Sequence, residues 1–265
     1  MSGSMGSGTL YLMPNTLDFG VAPADVDAGA VPDLQDVLPL GVIRIAARLP
    51  CWVAENAKTT RAFLKRVHEI VPLAQPLQAL VIVELPRANK GAAPATAANL
   101  HSLLAPAQAG HDMGLISEAG LPAVADPGAA LVHAAHVLKI RVDALSGPSS
   151  LMLALAASGL NGQSFAFVGY LPVDAAARQA RIRELEALSR RAQQTQLMIE
   201  TPYRNTALLN ALVHTLSGTT RLAVSCGLTL ASGWNRSDTV AAWKADPGGQ
   251  MLRQRARKQT SEQRT

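Results

Sequence analysis

The 265-residue sequence has few cysteines, few charged residues and no long apolar run. Its two cysteines, Cys51 and Cys226, lie far apart and form no C-x-x-C pair. This argues against a disulfide scaffold or a zinc site and suits a reducing cytoplasm. The longest apolar stretches, such as LMLALAA at 151–157, fall short of the ~20 residues that a membrane span needs. We therefore expect a cytoplasmic protein without a membrane segment.

Aromatic residues and metal-ligand patterns are scarce as well. Only ten residues are Phe, Trp or Tyr, and none alternates with a basic cluster, which argues against a surface that stacks nucleic-acid bases. His133 and His136 lie one helical turn apart, but no third ligand is near in sequence. We therefore expect both at the surface and no metal site.

The net charge is +5 and the sequence pI is about 9.6. Most of this charge lies in 248–265, which holds five basic residues and one acid and leaves 19 basic and 18 acidic residues elsewhere. The simplest interpretation of 248–265 is a disordered basic tail, and contact with phosphates is the alternative. The rest of the chain is nearly neutral, so the pI does not by itself indicate nucleic-acid binding.

The first half of the chain alternates strand and helix patterns, which predicts an α/β fold with a parallel sheet. The predicted strands lie at 9–13, 49–54, 77–84, 113–117 and 140–145. The stretch 77–84, LQALVIVE, is a continuous β-branched run and predicts a strand buried on both faces. Predicted helices include one with Phe63, Leu64 and Val67 on a single face, and others at about 95–108, 129–138 and 151–158.

A turn-rich break at 159–163 separates this half from a second, smaller α/β domain with a mixed sheet. Here strands are predicted at 164–170, 196–200, 221–226 and 238–243, and long helices near 175–191 and 203–216. Thr201 is the expected cap of the second helix, with Pro202 at its first position. The predicted domains are 9–160 and 164–246, followed by the tail at 248–265. The basic helix at 178–191 has two interpretations, a solvated face or a phosphate-contacting face.

Two loops follow predicted parallel strands, where α/β proteins bind ligands. The first, SEAGLPAVADPG at 117–128, combines small residues with two prolines, so a ligand can approach its backbone closely. Asp126 in this loop has an alternative role as the cap of the next helix. The second loop, SGPSS at 146–150, either holds a polar ligand or caps a helix. Neither loop matches a dinucleotide or P-loop fingerprint.

Five segments in order carry a resemblance to a known family: VAENAKTTRAFL, LISEAGLPAVADPG, ALSGPSS, FAFVGYLP and LMIETPYRNTALLNAL. Over about 9–245 the chain resembles the tetrapyrrole-methylase superfamily of S-adenosylmethionine-dependent methyltransferases. Within it, the bacterial small-subunit rRNA 2′-O-ribose methyltransferase branch is most similar, with its signature S-D-A-G-T-P, D-P-G, P-G-P-S-A and G-F-L-P.

The resemblance implies two α/β domains with S-adenosylmethionine in the cleft between them, and a homodimer. It also implies a cofactor site formed by residues at several strand ends. These are Pro14, Ser117, Glu118, Ala119, Gly120, Leu121, Ser149 and Ser150 in the larger domain, and Tyr170, Leu171 and Ile199 in the smaller one.

The sequence departs from the family pattern at several positions. The family's P-T-P-I-G-N-L is MPNTLDFG (13–20) here, which keeps Pro14. Its A-E-D-T-R is AENAK (54–58), which keeps Glu55 but has Asn56 and Lys58 in place of an acid and an arginine. The second position of S-D-A-G is Glu118, one methylene longer than Asp. The family's closing strand is not recognisable after DPGG.

In methyl transfer from a sulfonium the protein chiefly positions the reactants and excludes water, while a carboxylate accepts the proton of a ribose hydroxyl. The candidate catalytic residues are Glu55, Glu200 and Arg204, and the alternative for each is an ordinary ion pair. Three functions are consistent with the sequence. They are methylation of small-subunit ribosomal RNA, methylation of a tetrapyrrole or other small molecule, and binding of S-adenosylmethionine without catalysis.

Overall fold

The computed structural model describes residues 6–18, 33–86, 97–230 and 233–245. The chain divides into two compact units. The first comprises Met1–Ser150 with Gly227–Gly233, and the second comprises Leu151–Cys226 with Trp234–Thr265. The predicted tail at 248–265 and the end of the MPNTLDFG segment, Phe19 and Gly20, lie outside the described residues. The predicted domain bounds, 9–160 and 164–246, stay predictions.

The first unit is built on a parallel sheet of five strands, in the order β3-β2-β4-β1-β5. The strands are β1 (Thr9–Met13), β2 (Cys51–Ala54), β3 (Val81–Glu84), β4 (Met113–Ile116) and β5 (Arg141–Ala144). The helices are α1 (Leu34–Val37), α2 (Leu40–Arg48), α3 (Ala57–Ile70), α4 (Ala97–Leu103), α5 (Ala105–Gln108) and α6 (Ala129–Val137).

Helices cover both faces of this sheet. Successive strand residues point to opposite sides, so neighbouring residues of one strand pack against different helices. In β2, Trp52 belongs to the cluster formed with α1, α2 and α3, whereas Val53 belongs to the cluster formed with α4, α5 and α6. Phe63, Leu64 and Val67 of α3 are buried in the first of these clusters, as the sequence predicts. The central strand β4 is buried along its whole length.

The order of the strands places a switch point beside β4. The chain leaves β1 towards α1 and α2 on one face, and it leaves β4 towards α6 on the other. Loops that diverge in this way open a crevice at the carboxyl ends of the strands, where ligands bind in this class of fold. The 117–128 loop begins at this point.

The prediction for 77–84 is wrong in two respects. Leu77–Ala79 forms a 3₁₀ turn, and only Val81–Glu84 forms a strand. That strand is not buried on both faces, since Val81 is 52% and Val83 42% exposed. The reason is position: among the described strands, β3 is at the edge of the sheet and pairs with β2 alone.

The second unit contains a parallel pair and an antiparallel pair of strands with helices around them. The strands are β6 (Phe165–Phe167), β7 (Thr195–Leu197), β8 (Arg221–Cys226) and β9 (Trp234–Thr239). The helices are α7 (Ser150–Ser158), α8 (Ala175–Ala192), α9 (Asn205–Thr215) and α10 (Val240–Ala245), and Pro202–Arg204 forms a 3₁₀ turn. Leu171, Ile182, Leu185, Leu208 and Leu212 form the core.

Two local predictions in this unit need correction. The stretch 238–243 is not a strand: β9 ends at Thr239 and α10 begins at Val240. Val240 and Trp243, three residues apart, are both buried, so the apolar spacing is helical. Thr201 precedes the 3₁₀ turn with Pro202 at its first position, but its side chain makes no capping hydrogen bond, and α9 starts only at Asn205.

The basic helix α8 favours the solvated interpretation. Ile182 and Leu185 face the core. Arg181 pairs with Glu184 at 2.7 Å, and Arg190 pairs with Glu186 at 3.1 Å. These arginines neutralise acids of their own helix.

The predicted α/β class is confirmed, with a parallel sheet in the first unit and both strand senses in the second. Within the described ranges, no helix is both long and apolar enough to cross a membrane.

Candidate functional site

Three loops of the first unit meet at the carboxyl edge of its sheet: 14–18 after β1, 117–128 after β4 and 146–150 after β5. Gly147 lies so close to Pro14 that a Cβ built on it would be 2.2 Å from the proline Cβ. A Cβ on Gly120 would lie 3.6 Å from the Pro148 carbonyl oxygen. The structure therefore brings together the three loops that carry the cofactor-binding candidates Pro14, Ser117–Leu121, Ser149 and Ser150.

Asn15 ties the β1 loop to the β4 loop. Its backbone exchanges two hydrogen bonds with Gly120, of 2.9 and 3.2 Å. Its side-chain amide donates to the carbonyl oxygens of Ser117 at 3.2 Å and Glu118 at 3.0 Å. Asn15 is fully buried, so these bonds are shielded from water and hold the start of the loop.

Glu55 and Asn56, which follow β2, hold the same loop from the other side. Glu55 Oε2 accepts a hydrogen bond from the backbone N–H of Glu118 at 3.0 Å. Asn56 Nδ2 donates to Glu118 Oε1 at 3.0 Å. Asn56 Oδ1 also caps α3 by accepting from Lys58 N at 2.9 Å and Thr59 N at 3.4 Å. Lys58 itself is exposed.

Ser117 is the first residue of the loop and is only 3% exposed. Its hydroxyl oxygen is buried, and it has no hydrogen-bond partner among the described residues. A buried polar atom without a partner costs free energy, about 1–3 kcal/mol. Such an atom at a strand end is therefore a candidate contact for a polar ligand.

The remainder of the loop has an unusual backbone. Ala123 and Ala125 adopt positive φ angles of 64° and 63°, a backbone region that residues other than glycine rarely occupy. Gly128, with a φ of 131°, occupies the N-cap position of α6 and has no side chain with which to cap the helix. Asp126 is therefore not the helix cap, and that alternative is wrong.

Asp126 instead contributes to an acidic cluster with Glu55 and Glu118. Desolvation by burial, followed by the charges of Glu55 and Glu118, raises the pKa of Asp126 from 3.8 to about 6. A half-buried carboxyl group that titrates near neutrality is typical of functional sites. The same edge holds Glu84, whose Oε1 accepts from Ala57 N at 2.8 Å. This edge of the sheet therefore suits a cationic ligand better than an anionic one.

In the second unit, the predicted residues lie where β6 and β7 end. The backbone N–H of Ile199 donates to the carbonyl of Gly169 at 3.3 Å, which aligns Ile199 with the segment that contains Tyr170 and Leu171. Leu171 is 3% exposed and belongs to the core, whereas Tyr170 is 54% exposed. Of these two residues, the tyrosine has the exposed side chain.

Glu200 and Arg204 form an ion pair in this unit. Arg204 Nη2 lies 2.9 Å from Glu200 Oε2, and it also donates to the carbonyl of Leu171 at 2.9 Å. Glu200 Oε2 has no hydrogen-bond partner in the described part of the chain, so its contact with Arg204 is ionic. Glu200 Oε1 accepts from Thr201 N at 2.8 Å. The Glu200 side chain is only 4% exposed, so its charge is largely committed to holding this turn.

Sequence reasoning does not identify three residues that contribute to the site: Asn15, Asn56 and the ionisable Asp126. The two asparagines occupy segments that depart from the family pattern, and nothing local reveals partners more than sixty residues away. The signal for Asp126 is its place in a loop after a buried strand. Among the described residues, no group of three or more His, Cys, Asp or Glu residues forms a metal site.

No family model matches the sequence. Two curated proteins named ribosomal RNA small subunit methyltransferase I are similar. The Mesorhizobium japonicum protein is 39% identical over 140 residues, which is 53% of this chain and 46% of that one. The Pseudomonas aeruginosa protein is 33% identical over 167 residues, which is 55% of this chain and 58% of that one.

Among solved structures, uroporphyrin-III-C-methyltransferase from Thermus thermophilus matches with a TM-score of 0.45 and 17% identity, covering 91% of this chain and 86% of that chain. The chain spans about half the length of the curated relatives it matches. Over that part, the predicted resemblance is confirmed: the chain is similar to the ribosomal RNA small subunit methyltransferase I proteins.

Proposed function

We propose that this protein is an S-adenosylmethionine-dependent methyltransferase that methylates a ribose 2′-hydroxyl of small-subunit ribosomal RNA. The observation that carries the proposal is the 33–39% identity to proteins named for activity on small-subunit rRNA. The charge of the chain adds no support, because most of its excess lies in 248–265.

The residues of the carboxyl edge fit the cofactor in chemical terms. S-adenosylmethionine supplies an activated methyl group on a cationic sulfonium. The buried Ser117 hydroxyl, which lacks a partner in the described part of the chain, suits a polar group of the ligand. The acidic cluster of Glu55, Glu118 and Asp126 suits its positive charge. In this proposal Pro14, Ser117–Leu121, Ser149 and Ser150 bind the cofactor, with Tyr170, Leu171 and Ile199 as predicted contributors.

The hydroxyl that receives the methyl group must lose its proton to a base. We assign this role to Glu55, which uses Oε2 for the Glu118 amide and belongs to the cluster that contains the high-pKa Asp126. Glu200 and Arg204 remain candidate catalytic residues. Their ion pair and the bond to the Leu171 carbonyl favour a role for Arg204 in positioning.

The direct test is methyl incorporation from labelled S-adenosylmethionine into small ribosomal subunits that lack the modification. We expect incorporation by the wild type and a loss of about 100-fold or more in Glu55→Gln, because general-base catalysis contributes about that much. Incorporation into a tetrapyrrole but not into rRNA would instead support the small-molecule function. Full turnover by Glu55→Gln would remove the assignment of the base.

We also propose that the protein works in the cytoplasm as a homodimer, as the family resemblance implies. Analytical ultracentrifugation tests the dimer: a single species of twice the chain mass supports it, and a monomer at micromolar concentration contradicts it.

A further inference from the structure

Asn56 and Glu118 meet at the candidate cofactor loop, and the family pattern has Asp at both positions. We propose that they form an interdependent donor–acceptor pair that positions the Ser117–Leu121 loop, so that returning Asn56 to an acid disrupts the loop. The cofactor-binding part of this inference rests on the proposed function, whereas the ordering of the loop does not.

The two side-chain atoms of Asn56 have separate tasks. Its oxygen caps α3 by accepting from Lys58 N and Thr59 N. The nitrogen is then left to donate to Glu118 Oε1 at 3.0 Å. Because the cap requires the oxygen to face the helix, the orientation of the amide is fixed by its neighbours.

The contact with residue 118 is double. While Asn56 binds the side chain of Glu118, the neighbouring Glu55 accepts the backbone N–H of the same residue at 3.0 Å. Two adjacent residues after β2 therefore hold both the main chain and the side chain of one residue after β4. On the other side, Asn15 binds the carbonyl of Glu118 at 3.0 Å. The loop is thus fixed where it leaves the sheet.

The amide of Asn56 adds no charge to the acidic cluster beside it. Glu55 and Glu118 already lie close enough to Asp126 for their charges to raise its pKa. An aspartate at position 56 would still cap α3, but it could not donate to Glu118 when ionised, and it would add a fourth carboxylate. Like charges in such contact destabilise the arrangement that holds them. Asn56 instead gives Glu118 a hydrogen-bond donor without adding charge.

A donor–acceptor swap tests the pair in the full-length chain. The variants are Asn56→Asp, Glu118→Gln and the double variant, in which the introduced glutamine donates to the introduced aspartate and the cap is kept. The first readout is hydrogen exchange of the backbone amides at 117–121 without ligand. The second is the dissociation constant of S-adenosylhomocysteine, measured by calorimetry.

We expect Asn56→Asp to raise both the exchange rate at 117–121 and the dissociation constant of S-adenosylhomocysteine, each by about tenfold or more. The reason is that the variant loses a hydrogen bond to a charged group. Glu118→Gln alone should change exchange at 117–121 little, because its side-chain oxygen still accepts from Asn56. The double variant should return exchange at 117–121 to within about threefold of the wild type. This rescue is what distinguishes a pair from two independent structural residues.

Asn161→Asp is the matched control. Asn161 also accepts from the backbone with its oxygen and donates with its nitrogen, but to the carbonyl of Gln193 rather than to a carboxylate. It should leave exchange at 117–121 unchanged. Wild-type exchange in Asn56→Asp, or a double variant no better than Asn56→Asp, would overturn the pair. If the exchange pattern appears but the wild type binds no S-adenosylhomocysteine, the pair stands and the proposed function fails.

Discussion

At the scale of single residues, Ser117 combines burial with an unused hydrogen-bonding group. Its hydroxyl lies at the end of the central strand and has no partner within the described residues. A hydroxyl kept for structure alone would be bonded, as that of Ser158 is to the Leu155 carbonyl at 2.7 Å. This contrast favours a ligand contact for Ser117.

We therefore expect Ser117→Ala to separate stability from affinity. The free energy of unfolding should be unchanged or slightly higher, because no hydrogen bond is lost, while affinity for S-adenosylhomocysteine should fall about tenfold. Urea denaturation and calorimetry measure the two quantities. Ser158→Ala is the control and should show the opposite pattern, with lower stability and unchanged affinity. Loss of stability in Ser117→Ala would argue for a purely structural hydroxyl.

Asp126 gives the site a defined pH dependence. Its pKa of about 6, raised by burial and by the charges of Glu55 and Glu118, exceeds the ordinary value of 3.8. The folded state therefore binds this proton more tightly than the unfolded state does. The stabilising contribution of Asp126 to the free energy of unfolding therefore decreases as the pH rises from 3.8 to about 6, and it stays low above pH 6.

Asp126→Asn should accordingly stabilise the protein by about 1–2 kcal/mol at neutral pH, a value reduced for partial solvent screening. The gain should vanish once the wild-type group is protonated in both states, near pH 3.8 or below. Urea denaturation across this range measures the difference. Equal effects at both ends would contradict the raised pKa.

Asp112→Asn provides a control of opposite sign. Burial acts to raise the pKa of Asp112, but hydrogen bonds from the Thr9 amide and Arg48 lower it overall. The variant should therefore destabilise the protein at neutral pH, and this loss should shrink as the pH falls.

At the scale of elements, the packing of the β1 and β5 loops depends on Gly147. A Cβ there would lie 2.2 Å from Pro14 Cβ, well inside contact distance. We expect Gly147→Ala to lower the free energy of unfolding by about 1–3 kcal/mol through overpacking. It should also weaken cofactor binding, because both loops carry candidate residues.

Gly41→Ala is the matched control for this change. Gly41 lies in α2, and no atom of the described segments comes within 4 Å of a Cβ built on it. Alanine there should stabilise the protein by about 0.5 kcal/mol, since it favours helix more than glycine does. If both variants have the same effect, the close approach of the two loops is not important for stability.

The same scale explains what could be predicted from the sequence. Strand β4 is a short apolar run buried on both faces, so its pattern identifies it, and the loop after it follows as a ligand-binding candidate. Strand β3 has an equally apolar pattern but lies at the sheet edge, and nothing local encodes how many neighbours a strand has. Likewise, the bonds of Asn15 and Asn56 to Glu118 join distant segments, so only the fold reveals them.

At the scale of the whole molecule, charge and activity are separate questions. The high pI arises mainly from 248–265, while the candidate edge of the sheet is acidic. An rRNA substrate therefore rests on sequence similarity to the named relatives, and cofactor binding rests on the loops of the first unit. The cofactor is the premise shared by rRNA methylation, small-molecule methylation and non-catalytic binding.

Calorimetric titration of the full-length chain with S-adenosylmethionine and S-adenosylhomocysteine tests this premise most directly. We predict saturable binding of both at one molecule per chain, weakened in Ser117→Ala and retained in Ser158→Ala. Absence of binding by either ligand to the folded wild type would contradict the account.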